Sequence, residues 1–133
     1  MITLGEEISV LKTYFYLQQK RYGSNLTLKI SLSEEQKKLI FIPPLTLQLL
    51  IENAIKHNAV SKETPLEIMV YFENKDKLVI KNNINLKISR EPGTGTGLQN
   101  IIKRYNLLSK EPVTVNNDGV YFTVILPVLN KID

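Results

Sequence analysis

Apolar residues at Ile8, Leu11, Phe15 and Tyr22 recur at roughly helical spacing, behind a Thr3 and Glu6 pair in capping-box register and ahead of Gly23. Residues 3–23 are therefore predicted to form an amphipathic helix. Over residues 26–32 the period changes to two, with Leu26, Leu28, Ile30 and Leu32 apolar, which predicts a strand with one buried face. Residues 37–42 run into Pro43 and Pro44, a pair that ends regular structure and can pre-set the first turn of a helix predicted from about residue 45 to 58. Pro65 breaks the chain again. Residues 66–72 and 77–81 read as a hairpin around the polar turn 73–76. Residues 82–96 show little periodicity and read as a loop, and 98–108 return to helical spacing. Two last strands, 113–115 and 120–126, flank Asn116-Asn117-Asp118-Gly119, residue types that tolerate positive φ in a tight turn. The order helix, strand, helix, two strands, loop, helix, two strands predicts an α/β (α+β) sandwich, a mixed β-sheet with helices on one face. It lacks the strict alternation of a doubly wound fold, which disfavours Rossmann and P-loop architectures.

A length of 133 residues with 43% hydrophobic content suits one domain with a real core. The absence of cysteine excludes disulfide scaffolds, zinc fingers, iron–sulfur ligation and thiol nucleophiles, and fits a reducing cytoplasm. No apolar run approaches the ~20 residues of a membrane span, and the N-terminus lacks signal-peptide order. The net charge of +4 comes from scattered lysines and arginines. That scatter does not indicate a nucleic-acid partner, whereas a mildly basic balance suits a pocket for a polyphosphate.

Two segments carry candidate chemistry. In Glu91-Pro92-Gly93-Thr94-Gly95-Thr96-Gly97-Leu98-Gln99-Asn100-Ile101 a glycine-rich loop runs directly into a helix. Glycines let backbone N–H groups approach an anion, and a helix N-terminus adds unsatisfied donors and partial positive charge. The same pattern also fits a plain loop, and the Gly-Lys-Ser/Thr ending of a P-loop is missing. In Leu50-Ile51-Glu52-Asn53-Ala54-Ile55-Lys56-His57-Asn58, the spacing of four places Glu52 with Lys56 and Asn53 with His57 in adjacent polar stripes, beside an apolar face of Leu47, Leu50, Ile51, Ala54 and Ile55. An amide oxygen suits magnesium, and a lysine and a histidine suit phosphates. An ordinary amphipathic helix with solvated charges would read the same way.

Together the two segments resemble the N box and G2 box of the GHKL superfamily, whose members share the Bergerat ATP-binding fold. Ile42-Pro43-Pro44-Leu45-Thr46-Leu47-Gln48 ahead of Glu52-Asn53-Ala54-Ile55-Lys56-His57, followed by Gly95-Thr96-Gly97-Leu98-Gln99-Asn100-Ile101-Ile102-Lys103-Arg104-Tyr105, is similar to sensor histidine kinases of the LytS type. The opening Thr3-Leu4-Gly5-Glu6-Glu7 through Lys20-Arg21-Tyr22-Gly23 also resembles the segment those kinases carry after their phosphoacceptor region, so the resemblance spans nearly the whole chain.

The resemblance implies one histidine-kinase-like ATPase domain over residues 1–133, with 1–23 continuing from a dimerisation and phosphoacceptor region that is not in this chain. Met1, directly before the capping box, reads as a start at a domain boundary. It implies ATP and Mg²⁺ as cofactors and Asn53 as the magnesium ligand. Lys56 and His57 would face the phosphates; Gly93, Gly95, Thr96 and Gly97 with the N–H of Leu98 would cradle them; residues 84–92 would form the ATP lid. The implied activity is transfer of the γ-phosphoryl of ATP to a histidine on the upstream segment. The implied partners are that phosphoacceptor helix and a response regulator of the LytTR type. The parent would be a homodimeric, membrane-anchored bacterial kinase with this domain in the cytoplasm.

Asn82 stands where the superfamily's G1 box usually has an aspartate that accepts the adenine amino proton, and Ile84 stands where it usually has a glycine. Exchanging a charged acceptor for a neutral one costs roughly 1 to 2 kcal/mol, about tenfold in affinity. Weak ATP binding is the expectation, and Asn82→Asp is expected to strengthen it. Gly119 is followed by Val120 and Tyr121 instead of the threonine often found there. The altered G1 box leaves open an alternative, a degenerate Bergerat domain that serves as a dimerisation or regulator-docking module. No catalytic residue is assigned. The only carboxylate nearby in sequence, Glu52, lies about 100° around the helix from Asn53 and is expected to be solvated or paired with Lys56. An ATPase of the gyrase sort is disfavoured, because Leu49 occupies the position one turn before the asparagine where those domains place a glutamate base.

Overall fold

The computed structural model describes residues 1–87 and 96–129. Helix α1 (Leu4–Tyr22) starts where the capping pattern places it. Thr3 has extended backbone and its Oγ1 accepts the Glu6 N–H at 3.1 Å. Leu4, Ile8, Leu11 and Phe15 form its buried face, and Gly23 ends it at φ 59°, a conformation open to glycine without steric cost. A 3₁₀ turn (Gly23–Asn25) leads into strand β2 (Leu26–Ser31).

Three elements lie where periodicity is silent. Helix α2 (Glu34–Leu39) buries none of its residues and so carries no apolar stripe; its mark is the complete capping box between Ser33 and Gln36. Strands β1 (Ile2–Thr3) and β3 (Phe41–Ile42) pair antiparallel over two residues each, too short to show a period. Helix α3 (Thr46–His57) begins just after Leu45, which adopts the left-handed conformation (φ 68°, ψ 5°). The prolines thus precede a kinked entry instead of themselves opening the first turn.

Strands β4 (Leu66–Glu73) and β5 (Lys77–Asn83) form the predicted hairpin, turning through Asn74 at φ 61°. Helix α4 (Thr96–Leu108) is followed by β6 (Thr114–Asn117) and β7 (Tyr121–Pro127), each shifted by about a residue or two from the sequence expectation. In their turn Gly119 has φ 86°, and Asp118 Oδ1 accepts the N–H groups of Val120 and Tyr121. Those two bonds hold its carboxyl below the usual carboxylate range.

The main sheet has the order β2-β4-β5-β7-β6, parallel between β2 and β4 and antiparallel elsewhere, so it is mixed as expected. Register decides what faces the helices. Leu28 pairs with Ile68, Ile68 with Asn82, and Asn82 with Phe122; one row away Val70 pairs with Ile80 and Ile80 with Val124. This face packs with Leu11 and Phe15 of α1, Leu47, Ile51 and Ile55 of α3, and Ile101 and Tyr105 of α4 in one core. Asn82 is the polar member of that face, 4% exposed at the end of β5.

Candidate nucleotide site

A cavity of ≈ 380 Å³ opens where α3, the end of β5, the start of α4 and the β6–β7 hairpin converge. Its volume lies within the range of small-molecule sites. Leu50, Asn53, Ala54, His57 and Asn58 line it from the α3 side, and Asn82 and Ile84 from β5 and its exit. Leu98 and Gln99 of α4, Asn117 of β6 and Phe122 of β7 complete the wall. The apolar part is aliphatic and aromatic; the polar part is five carboxamides and one imidazole, with no carboxylate, lysine or arginine among the lining residues.

Asn53, His57, Asn82 and Leu98 are therefore brought together as lining residues. Gly97 lies against Asn53: a Cβ added to it would meet Asn53 Nδ2 at 3.6 Å and Oδ1 at 3.8 Å, ordinary contact distances. The first turn of α4 is thereby held beside the α3 amide. Lys56 is exposed and is not among the lining residues. Its carbonyl oxygen accepts a hydrogen bond from Lys87 Nζ at 3.0 Å, which brings a cation to the C-terminal end of α3. Gly93, Gly95 and residues 88–92 of the expected lid lie outside the described residues, as does the side chain of Thr96.

The first residues of that expected lid are firmly tied. Ile84 N–H donates to Val120 O at 2.8 Å. Asn85 N–H donates to Asn58 Oδ1 at 2.8 Å, while Asn85 Nδ2 lies within 2.9–3.1 Å of the carbonyls of Ala59, Thr64 and Pro65. Asn83 Oδ1 accepts the Glu67 N–H at 2.7 Å and its Nδ2 donates to Pro65 O. Asn58 Nδ2 in turn donates to Ala54 O at 2.8 Å, satisfying a carbonyl that the end of α3 leaves open. Asn58 and Asn85 thus clamp the end of α3 to the exit of β5, and Asn83 ties that exit to the start of β4. Sequence reasoning missed Asn58, Gln99, Asn117 and Phe122 as lining residues; the only signal was the density of asparagine at 82–85 and 116–117.

Asn82 has a fixed orientation. Its Nδ2 donates to Asn83 O at 2.7 Å, and reversing the amide would set two oxygens against each other. The side-chain oxygen has no hydrogen bond among the described residues, which leaves an acceptor on a residue that lines the cavity.

Of the two roles expected for Glu52, pairing with Lys56 is not found. Gln48 Nε2 donates to its Oε1 at 3.0 Å. The Tyr14 hydroxyl of α1 is pushed up to about 12 by burial, then by the charge of Glu52 and by Tyr22, so Glu52 acts toward α1. It forms no ion pair with Lys56: the only ion pair among the described residues joins Lys37 to Glu34 at 3.2 Å. No group of three or more His, Cys, Asp or Glu side chains that could hold a metal occurs among the described residues.

The sheet order and the helix layer match the fold of solved histidine-kinase catalytic domains. Among solved structures, the catalytic domain of histidine kinase ThkA matches with a TM-score of 0.58 at 14% identity, over 98% of this chain and 97% of that one. Histidine kinase AdeS of Acinetobacter baumannii matches with a TM-score of 0.54 at 16% identity, over 97% of this chain and 66% of that one. No family model matches the chain. By sequence it is similar to the sensor histidine kinase/phosphatase LytS of Staphylococcus aureus strain MRSA252, 27% identical over 95% of this chain, with the same figure for strain Mu50. The LytS-type resemblance carried by the two motifs is thus borne out. The chain spans 25% of the length of these relatives.

Proposed function

We propose that this chain is the ATP-binding catalytic domain of a two-component sensor histidine kinase, and that the ≈ 380 Å³ cavity is its nucleotide site. The observation that carries the reading is the convergence of Asn53, Asn82 and the Gly97–Leu98 start of α4, which are remote in sequence, on one cavity. Asn53 would hold Mg²⁺ through its side-chain oxygen. His57 would flank the phosphates, and the N–H of Leu98 with Gly97, Gly95, Thr96 and Gly93 would bind them where the dipole of α4 favours negative charge. Lys56 does not line the cavity, so its expected phosphate role would require another side-chain conformation. Asn82 would accept the adenine amino proton, with Phe122, Leu98 and Ile84 supplying apolar contact to the base. ATP with Mg²⁺ supplies the phosphoryl group and neutralises charge in its transfer; the chain's own contribution is positioning.

The acceptor histidine would lie on an upstream dimerisation helix of a homodimeric, membrane-anchored parent, with a LytTR-type response regulator downstream. No helix among the described residues is long and apolar enough to cross a membrane. The domain is expected to bind ATP or ADP with Mg²⁺ in the micromolar to millimolar range. Calorimetry without heat, together with no thermal shift at millimolar nucleotide, overturns the proposal. It would leave a second reading, favoured by the uncharged Asn82: a docking module that no longer uses nucleotide.

Asn82→Asp separates stability from affinity. The bond from Asn82 to the Asn83 carbonyl lies within the protein itself, so its loss and the resulting oxygen–oxygen repulsion lower folding stability, by about 1–3 kcal/mol. The stronger acceptor acts only when an amine donor is bound. We expect Asn82→Asp to lower the melting temperature by several degrees while tightening ATP binding up to about tenfold. The gain should be absent with a purine nucleotide lacking the exocyclic amine. An unchanged ATP affinity would remove Asn82 from the base end of the site.

A further inference from the structure

Glu7 lies in the first turn of α1, where an acidic side chain usually faces water, yet it is 1% exposed. Its Oε1 accepts the N–H of Leu45 at 2.9 Å and its Oε2 the N–H of Leu47 at 2.8 Å. These amides belong to the N-terminus of α3, which has no cap of its own. Leu45 has no polar side-chain atom and sits in the left-handed region, uncommon for a leucine, and the Thr46 hydroxyl donates to Pro43 O at 2.7 Å. A carboxylate from 38 to 40 residues earlier in the chain therefore takes the place of the N-cap. Its charge also suits the helix dipole. Tyr105 of α4 is 2% exposed, and its hydroxyl is held well above the usual tyrosine range by burial first and the charge of Glu7 second.

From this junction we infer that Glu7 is a positioning residue, which locks α1 to the start of α3 and thereby sets where α3 holds Asn53 in the cavity. The inference rests on the nucleotide-site reading for its functional consequence, though not for its geometry. α3 is a 12-residue helix capped at one end by Glu7 and clamped at the other through Asn58, so a change in its entry moves Asn53 with it. Whatever displaces α1 would reach the site along this route.

The test compares Glu7→Gln, which keeps shape but removes the charge and turns one acceptor into a donor, with Leu11→Ala, a core change on the same helix. Glu7→Gln is expected to shift the Asn53 side-chain amide resonances in nitrogen–proton spectra and to weaken ATP–Mg²⁺ binding about tenfold, the scale of one charged hydrogen bond. Leu11→Ala is expected to lower the melting temperature without either change. A folded Glu7→Gln protein with unmoved Asn53 amide signals overturns the inference. If that variant does not fold, Glu7→Asp is read in the same way. The unsubstituted protein supplies a further check: the amide protons of Leu45 and Leu47 should exchange slowly, and exchange as fast as exposed amides overturns it. The amide signals need no nucleotide, so a wild-type protein that fails to bind ATP refutes the function while the Glu7 geometry stands or falls separately.

Discussion

Replacing Asn53 by alanine is expected to weaken ATP–Mg²⁺ binding by on the order of 100-fold or more, while adenosine affinity changes by about threefold or less. Groups that merely orient a metal ligand cost 10–100-fold when removed, and a direct ligand should cost at least the upper end. No group of three or more His, Cys, Asp or Glu among the described residues could replace it, and the polar groups of the described lining are otherwise neutral amides and His57. The change should also be confined to the phosphate end, because Asn53 approaches Gly97 at the start of α4 whereas Asn82 sits at the end of β5. Calorimetry with both ligands decides. Equal losses for ATP–Mg²⁺ and adenosine would place the metal elsewhere.

Incubated with γ-labelled ATP and Mg²⁺, the chain is expected to gain no acid-labile phosphohistidine, and to gain it fully on an added upstream helical segment of the parent. This is an all-or-none difference. His57 is the sole histidine, and it lines the same cavity as Asn53, four residues further along α3. A side chain one turn from the proposed metal ligand would flank the phosphates. In-line transfer instead needs a nucleophile about 3 to 3.5 Å from the γ-phosphorus, opposite the leaving oxygen. Phosphate found on His57 would refute that role for α3. Absence of label even with the upstream segment would favour the docking module.

Much of the architecture was legible because it follows from periodicity. The 3.6-residue spacing of Ile8, Leu11 and Phe15 and the two-residue alternation of Leu66, Ile68 and Val70 are direct consequences of burying one face. Helix α2 escaped because it buries nothing, and the β1–β3 pair because two residues cannot display a period. Within α3, spacing identified Asn53 and His57 as neighbours, and both line the cavity. It also offered pairing with Lys56 as one of two roles for Glu52; that pair does not form, and Gln48 donates to Glu52 instead.

By itself the sequence determined the order of the longer elements, the mixed α/β class, the apolar faces and the two motifs that carry the kinase resemblance, since each depends on residues close together along the chain. Only the tertiary structure decided which residues share the cavity, that the Asn82 amide presents its oxygen as acceptor, that Asn58 and Asn85 clamp the end of α3 to the exit of β5, and that Glu7 caps a helix it does not belong to. Those outcomes depend on strand register and on hydrogen bonds spanning up to 40 residues. A buried polar group must find a partner, but its own neighbourhood in the sequence does not say which one.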